Sequence, residues 1–226
     1  MSSLRLRRAG VIGDVHAEDE ALAAVLAFLQ NVPDLDALLC TGDIVTGPGD
    51  AGRCCRLLRE AGVLTVRGNH DRWFFTPGYA DQIPLSTPDE EVQNEDRAFL
   101  AGLPATRAFD TPLGPLLLCH GVGRNDMNGV YPRDTHAVLA ALHQLHAIYS
   151  EGQFRLLVCG HTHQRMVRAF DHLTIFNAGT LRQNRNPCFF VADFEAGWAE
   201  CYNLSEAAQQ MTPADVFALP APPQQQ

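Results

Sequence analysis

The chain has 226 residues, 46% hydrophobic and 19% charged, with a formal net charge of −9 at pH 7. This is the composition of a globular protein that can bury a core, and its acidic balance argues against stable nucleic-acid binding as its main business. All 17 basic residues are arginine, which excludes Schiff-base chemistry and a Walker-type phosphate lysine. The seven cysteines include no C-x-x-C spacing, and Cys40, Cys119 and Cys159 close apolar runs. They read as reduced, buried thiols of a cytoplasmic protein rather than a disulfide framework or a zinc ribbon. The N-terminal apolar run is too short for a signal peptide, and no membrane span is expected.

In chain order, apolar runs closed by glycine or polar residues recur at 9–14, 35–43, 62–71, 115–121 and 155–163, and suit strands buried on both faces. Between them lie helical segments at 18–30, 52–62 and 134–150. The last carries a stripe of Val138, Leu139, Leu142, Leu145 and Ile148, with Asp134 as the expected N-cap. Segment 76–96 is polar and proline-containing, and reads as a surface loop before a helix at 92–101. After 155 the chain turns to short strands, "MVRAF", "LTIFNAG" and "CFFVADFEAGWAECYN", expected to form a second, antiparallel-rich sheet packed on the first. One α/β domain over 1–219 is expected, followed by a disordered tail, 220–226.

Each apolar run ends in groups that can bind a metal: Asp14 and His16, Asp43, Asn69 and His70, His120, then His161 and His163. Ligands gather beyond the carboxyl ends of strands in open α/β sheets, so these residues are expected to converge. The pairs at 14–16 and 161–163 are two apart, and on extended backbone such residues point the same way. Asp14, His16, Asp43, Asn69, His120, His161 and His163 are too many donors for one catalytic zinc. With Asp43 bridging, they supply four contacts to each of two ions, which ~3.5–4 Å apart can share a hydroxide and clamp a phosphoryl group. Mixed nitrogen and oxygen donors suit Mn, Fe, Zn, Co or Ni.

The series "GDVH" (13–16), "GD" (42–43), "RGNHD" (67–71), "HG" (120–121) and "GHTH" (160–163) resembles the calcineurin-like metallophosphoesterase superfamily, in its motif order and gaps, over roughly 9–194. The resemblance implies a double β-sheet sandwich flanked by helices (α/β/β/α). It implies one divalent ion on Asp14, His16 and His163, a second on Asn69, His120 and His161, and Asp43 between them. His70 corresponds to the family's catalytic histidine, which is not a ligand; Asp71, or more distantly Asp50, is a candidate to orient it. Arg67 matches an arginine that binds phosphate in some members.

The protein-phosphatase branch carries "GDxxDRG", whereas this chain reads "GDIVTGPGD", with Thr46 at the aspartate's place. The compact length is closer to the small prokaryotic phosphodiesterase-like members. The expected function is therefore a metal-dependent phosphoric ester hydrolase in which a bridging hydroxide attacks a phosphodiester or nucleotide-type phosphoester. Phosphomonoester, phosphoprotein and dinucleoside polyphosphate substrates also fit the same core. Substrate selection is expected from loops 76–96 and 121–134. Two rivals have less in their favour: a non-catalytic scaffold of this fold should have lost ligands, and a metallo-β-lactamase-like hydrolase needs an "HxHxDH" run that the chain lacks.

Overall fold

The computed structural model describes residues 5–78, 82–205 and 210–220. The first half alternates β1 (Arg8–Ile12), α1 (Asp19–Leu29), β2 (Ala37–Cys40), α2 (Ala51–Glu60), β3 (Leu64–Thr65), the short α3 (Asn69–Trp73), α4 (Asn94–Gly102), β4 (Thr106–Phe109) and β5 (Leu116–Cys119). The second half contains α5 (His136–Ala140), α6 (His143–Glu151), β6 (Leu156–Cys159), β7 (Met166–Ala169), β8 (Thr174–Asn177), β9 (Cys188–Asp193), β10 (Trp198–Leu204) and β11 (Met211–Ala218). The tail expected beyond Pro220 lies outside the described residues.

The strands form a six-stranded sheet, β11-β10-β9-β1-β2-β3, and a five-stranded sheet, β4-β5-β6-β8-β7. Strands β1, β2 and β3 run parallel, as do β5, β6 and β8. Their neighbours β9, β10, β11, β4 and β7 are antiparallel additions. The expected division of sheets by halves of the chain is thus corrected: β7 and β8 extend the sheet of β5 and β6, whereas β9 to β11 return to β1. The reason is burial on both faces, which lets a late strand such as β9 (burial nearly complete from Cys188 to Ala192) fill the centre of the first sheet.

Alternation along the strands produces the layers. Val11, Leu39, Leu116, Leu118, Leu156, Val158, Phe176 and Phe190 pack between the two sheets. Their neighbours Ile12, Cys40, Phe189 and Val191 face Leu22, Val25 and Leu29 of α1 and Cys54 and Leu58 of α2. On the opposite side Leu117, Cys119, Leu157, Cys159 and Ile175 meet Leu139 of α5 and Leu145 of α6. Adjacent strand residues point to opposite faces, so the sequence of each central strand feeds two cores. The result is the expected α/β/β/α sandwich. Among the described residues, no helix is long and apolar enough to cross a membrane.

The helix expected at 134–150 is instead two, α5 and α6, separated at Ala141 and Leu142. Leu139, Leu142, Leu145 and Ile148 recur every three residues, so on one straight helix the stripe would drift by about 60° per step. The break lets these residues all pack on one core, while Val138 is left exposed. The N-cap of α5 is Thr135, whose hydroxyl accepts the Val138 N–H. Asp134 accepts the Tyr131 N–H instead, closing the preceding turn.

Candidate metal centre

The carboxyl ends of β1, β2, β3, β5 and β6 lie at one edge of the sandwich, where Asp14, His16, Asp43, Asn69, His120, His161 and His163 come together. The extended geometry expected of the 14–16 and 161–163 pairs is not found. His16, Asp43, His161 and His163 all have positive φ, at 50°, 48°, 67° and 59°. His16, His161 and His163 therefore sit in left-handed loop turns just past β1 and β6, whereas Asp14 is still bridged to Thr180; the left-handed conformation is one that L-residues adopt at a cost and that clusters at functional sites. Glycine permits the closest approaches: a Cβ on Gly160 would overlap the Asp14 carboxylate, and one on Gly68 the Asp43 carboxylate.

Two groups of donor atoms share Asp43. In the first, His16 Nε2 lies 2.9 Å from His163 Nε2, and His163 Nε2 lies 3.3 Å from Asp14 Oδ2. Ligand atoms of Asp14, His16, Asp43 and His163 all fall within 4.8 Å of one another. In the second, Asn69 Oδ1 is 2.9 Å from His120 Nε2 and 3.0 Å from His161 Nδ1, and the two imidazoles are 3.3 Å apart. Asp43 Oδ2 lies between the groups, 3.6 Å from His16 Nε2 and 3.3 Å from His120 Nε2. Two ligands about 2.0–2.1 Å from a tetrahedral ion are separated by about 3.3 Å, so these spacings suit the edges of coordination shells.

Hydrogen bonds around the donors fix which atoms face inward. The backbone carbonyl of Thr46 accepts His16 Nδ1–H at 2.9 Å, and that of Thr41 accepts His120 Nδ1–H at 2.9 Å. A carbonyl cannot donate, so each Nδ1 carries a proton and each Nε2 can present its lone pair. Asp14 is held through Thr41 Oγ1–H at 3.0 Å and the His161 N–H at 2.8 Å, and Asp43 through the His70 N–H at 2.8 Å. Asn177, at the end of β8, donates to the Gly160 carbonyl at 2.6 Å and to Thr162 Oγ1 at 3.1 Å, bracing the loop that carries His161 and His163.

Electrostatics agree with a cation site. Burial pushes the His16 pKa down to about 4 and that of His163 to about 3, so neither competes for a proton near neutrality. Burial also works against a charge on His120, yet the carboxylates of Asp43 and Asp14 reverse this and push it up to about 10. The two carboxylates differ: burial raises Asp14, whereas Asp43, despite burial, is held well below the usual carboxylate range by His120 and His16. Nearly solvent-free carboxylates with converging imidazoles call for positive charge, and a divalent cation supplies more of it than one proton.

His70 stands beside this cluster, its ring 5.0 Å from His16 and 4.8 Å from Trp73. Its buried Nδ1 has no hydrogen-bond partner among the described residues. Asp71 does not orient it. One Asp71 oxygen accepts the N–H groups of Ile44 and Val45 at 2.7 and 3.3 Å, and the other that of Gly68 at 2.9 Å. As the third residue of α3 it caps that helix and clamps the loop after Asp43, because a carboxylate there meets free N–H groups. Asp50 is likewise taken, as the N-cap of α2. Arg67 has a buried Nε without a partner, and its backbone N–H donates to the Pro104 carbonyl at 2.8 Å.

Thr41 and Asn177 brace the cluster and Arg182 acts on it through its charge, and the motifs reveal none of the three. Arg182 lies shortly after β8, and its charge helps lower the pKa values of His16, His70 and His163. The one available signal was position: Thr41 directly follows β2 and Asn177 ends β8, one strand in each sheet. Loop 121–134 is also tied to the centre, because Arg72 of α3 forms a two-pronged ion pair with Asp126 at 2.7 and 2.9 Å.

Comparison with known proteins gives a concordant picture. Residues 8–197 match the calcineurin-like phosphoesterase superfamily domain. Over 100 residues the chain is 33% identical to an uncharacterized protein of Methanocaldococcus jannaschii, covering 42% of this chain and 41% of that one. Over 66 residues it is 35% identical to serine/threonine-protein phosphatase 1 of Salmonella typhimurium, covering 29% and 31%. The chain thus spans less than half the length of these curated relatives. A hypothetical protein of Pyrococcus horikoshii shares the fold, with a TM-score of 0.70 at 16% identity over 89% of this chain and 88% of that one.

Proposed function

Because the chain belongs to the calcineurin-like phosphoesterase superfamily, and so to the metal-dependent hydrolases of phosphoric esters, we propose that it cleaves a phosphodiester or nucleotide-type phosphoester at two adjacent divalent cations. Asp14, His16 and His163 would hold one ion, Asn69, His120 and His161 the other, and Asp43 both. The observation that supports two ions is the position of Asp43 Oδ2, within 3.6 Å of His16 Nε2 and 3.3 Å of His120 Nε2. Bound there, such ions supply Lewis acidity toward phosphoryl oxygens and lower the pKa of water.

The chain's own residues account for the rest. Thr46, Thr41 and the His161 backbone set the tautomers and carboxylate rotamers in advance, so little reorganisation is needed when substrate arrives. Burial lowers the pKa of His70 and leaves its ring neutral. An entering phosphoester brings negative charge, which raises that pKa and fits the ring to give a hydrogen bond or a proton to the departing oxygen. Meanwhile the His70 N–H keeps Asp43 in place, so the same residue serves both the leaving group and the shared carboxylate.

The test is turnover of bis-p-nitrophenyl and p-nitrophenyl phosphate by metal-reconstituted protein, alongside His70→Ala and a phosphopeptide. Metal-dependent cleavage, reduced about 10²–10⁴-fold in His70→Ala with metal content retained, is the expected result. Absence of metal-dependent turnover on every ester would end the proposal.

A further inference from the structure

Beside His163 the surface opens into a cavity of about 960 Å³, whose walls include Thr162, His163, Arg165, Gln183, Arg185 and Asn203. That is near the top of the roughly 300–1,000 Å³ range of small-molecule sites, and far more than a phosphate alone needs. No acidic side chain lines it among the described residues, although the chain carries a net charge of −9. Such a local reversal of charge favours an anion.

The cationic groups around it differ in their commitments. Arg165 is paired with Asp215 at 3.1 Å and hydrogen-bonds Asn203. Among the described residues, Arg182 and Arg185 make no ion pair; Arg182 immediately precedes the turn Gln183–Arg185 and Arg185 closes it. Arg185 lines the cavity together with His163, whereas Arg182 lies just before the turn and is not part of the wall. Between them, Gln183 Oε1 is buried without a hydrogen-bond partner. The Gln183 backbone N–H donates to Glu18 Oε1 at 3.1 Å, anchoring the turn two residues beyond His16. A buried acceptor without a donor is destabilising, and asks for a partner that the folded chain does not provide.

We propose that this cavity receives the ester group of the substrate, and that Arg185 and Gln183 select a group carrying a further phosphate and hydrogen-bond donors, as in a nucleoside phosphate. The proposal rests on the phosphoesterase reading above. Arg185 meets the further phosphate, and the side-chain amide of Gln183, once turned into the cavity it lines, hydrogen-bonds a ribose hydroxyl or a base. The guanidinium offers two parallel donors to phosphate oxygens.

The experiment titrates ADP and pyrophosphate calorimetrically into the full chain in excess chelator, comparing wild type with Arg185→Ala and Gln183→Leu. ADP is expected to bind more tightly than pyrophosphate. Arg185→Ala should weaken both at least tenfold. Gln183→Leu should weaken ADP at least tenfold and pyrophosphate less than twofold, with thermal stability equal or higher because the orphan acceptor is gone. A merely structural Gln183 would give the opposite stability change. In metal-loaded protein, the ratio of kcat/KM for a 5′-phosphorylated dinucleotide to that for bis-p-nitrophenyl phosphate should fall at least tenfold in Arg185→Ala, through KM. Equal affinity for ADP and pyrophosphate, or affinities indifferent to both substitutions, overturns the proposal. Metal-dependent cleavage of bis-p-nitrophenyl phosphate without ADP binding rejects the cavity assignment alone. ADP binding that follows the expected pattern without turnover of any ester supports the cavity and rejects the phosphoesterase reading.

Discussion

At the scale of residues, the centre is built from donors that could be read directly and from supports that could not. Asp14, His16 and His163 are visible because their types and spacing recur at run ends, whereas Thr41 and Asn177 act between the ends of neighbouring strands, 27 and 17 residues from the groups they hold. No local pattern encodes such a hydrogen bond. The left-handed turns were hidden too, since histidine and aspartate favour positive φ more than most residues but too weakly to place a turn at a given position, and they carry a measurable consequence. In the left-handed region an L-residue is strained by roughly 1–2 kcal/mol, while glycine is free of that strain but loses roughly 0.5–1 kcal/mol more chain entropy. In chelator, His163→Gly, at φ 59°, should therefore be more stable than His163→Ala by roughly 0.5–1 kcal/mol in urea unfolding. An alanine variant as stable as the glycine one would show that the turn is relaxed. The partition of the two histidines gives a second prediction. His163→Ala and Asp14→Ala should each abolish or weaken the same metal-binding event at least tenfold, and His161→Ala and Asn69→Ala the other, in calorimetric titrations with Mn²⁺. Loss of one shared event in all four variants would mean a single ion.

At the scale of elements, strands were legible as continuous apolar runs, but the partner of each strand was not. Burial on both faces erases the alternation that would otherwise tell a central strand's orientation, so β9 could not be assigned to either sheet from its sequence. Strand β11 went unread for the opposite reason: it is an exposed edge strand containing Pro213, opposite an irregularity between Glu200 and Tyr202. The pairing of β1 with β2 depends on a contact outside the apolar pattern. Asp36 accepts the N–H groups of Arg7 and Arg8 at 2.6 and 2.9 Å, just before the register Ala9–Ala37 begins. Partial burial tends to raise the Asp36 pKa, but these N–H groups and the Arg7 charge outweigh it and hold the carboxyl below its usual value of 3.8. A depressed folded-state pKa contributes stability above the unfolded value, and that contribution is lost as pH falls through the folded one. Asp36→Asn should thus cost roughly 1 kcal/mol at pH 7, with the gap from wild type closing below about pH 4 in urea midpoints. A gap that persists unchanged at pH 3 would assign the cost to shape rather than charge.

At the scale of the whole molecule, two sheets that share a buried interface deliver their strand ends to one edge, and the metal centre is where they are joined. Asp14, His16, Asp43 and Asn69 come from the six-stranded side, and His120, His161 and His163 from the five-stranded side. The sandwich itself could be anticipated from run lengths and strand composition, but that each group of donor atoms is drawn from both sheets depends on how the sheets face each other, which the linear order does not express. The consequence is thermodynamic. A cation bound at this edge holds the sheets together and has no such site in the unfolded chain, so binding adds RT ln(1 + [M]/Kd) to folding stability, about 2.7 kcal/mol at a hundredfold excess over Kd. A chain of this length shifts by about 2–4 °C per kcal/mol, so chelation should lower the midpoint of thermal unfolding by roughly 5–10 °C, and Mn²⁺ should restore it in proportion to the logarithm of its concentration. Asp43→Ala, which removes the carboxylate common to both groups, should abolish most of that dependence, whereas loss of one of the other ligands should leave about half. Differential scanning calorimetry across a metal series measures this directly. If Asp43→Ala kept the full metal-dependent shift, the ions would not be joining the sheets through the shared carboxylate.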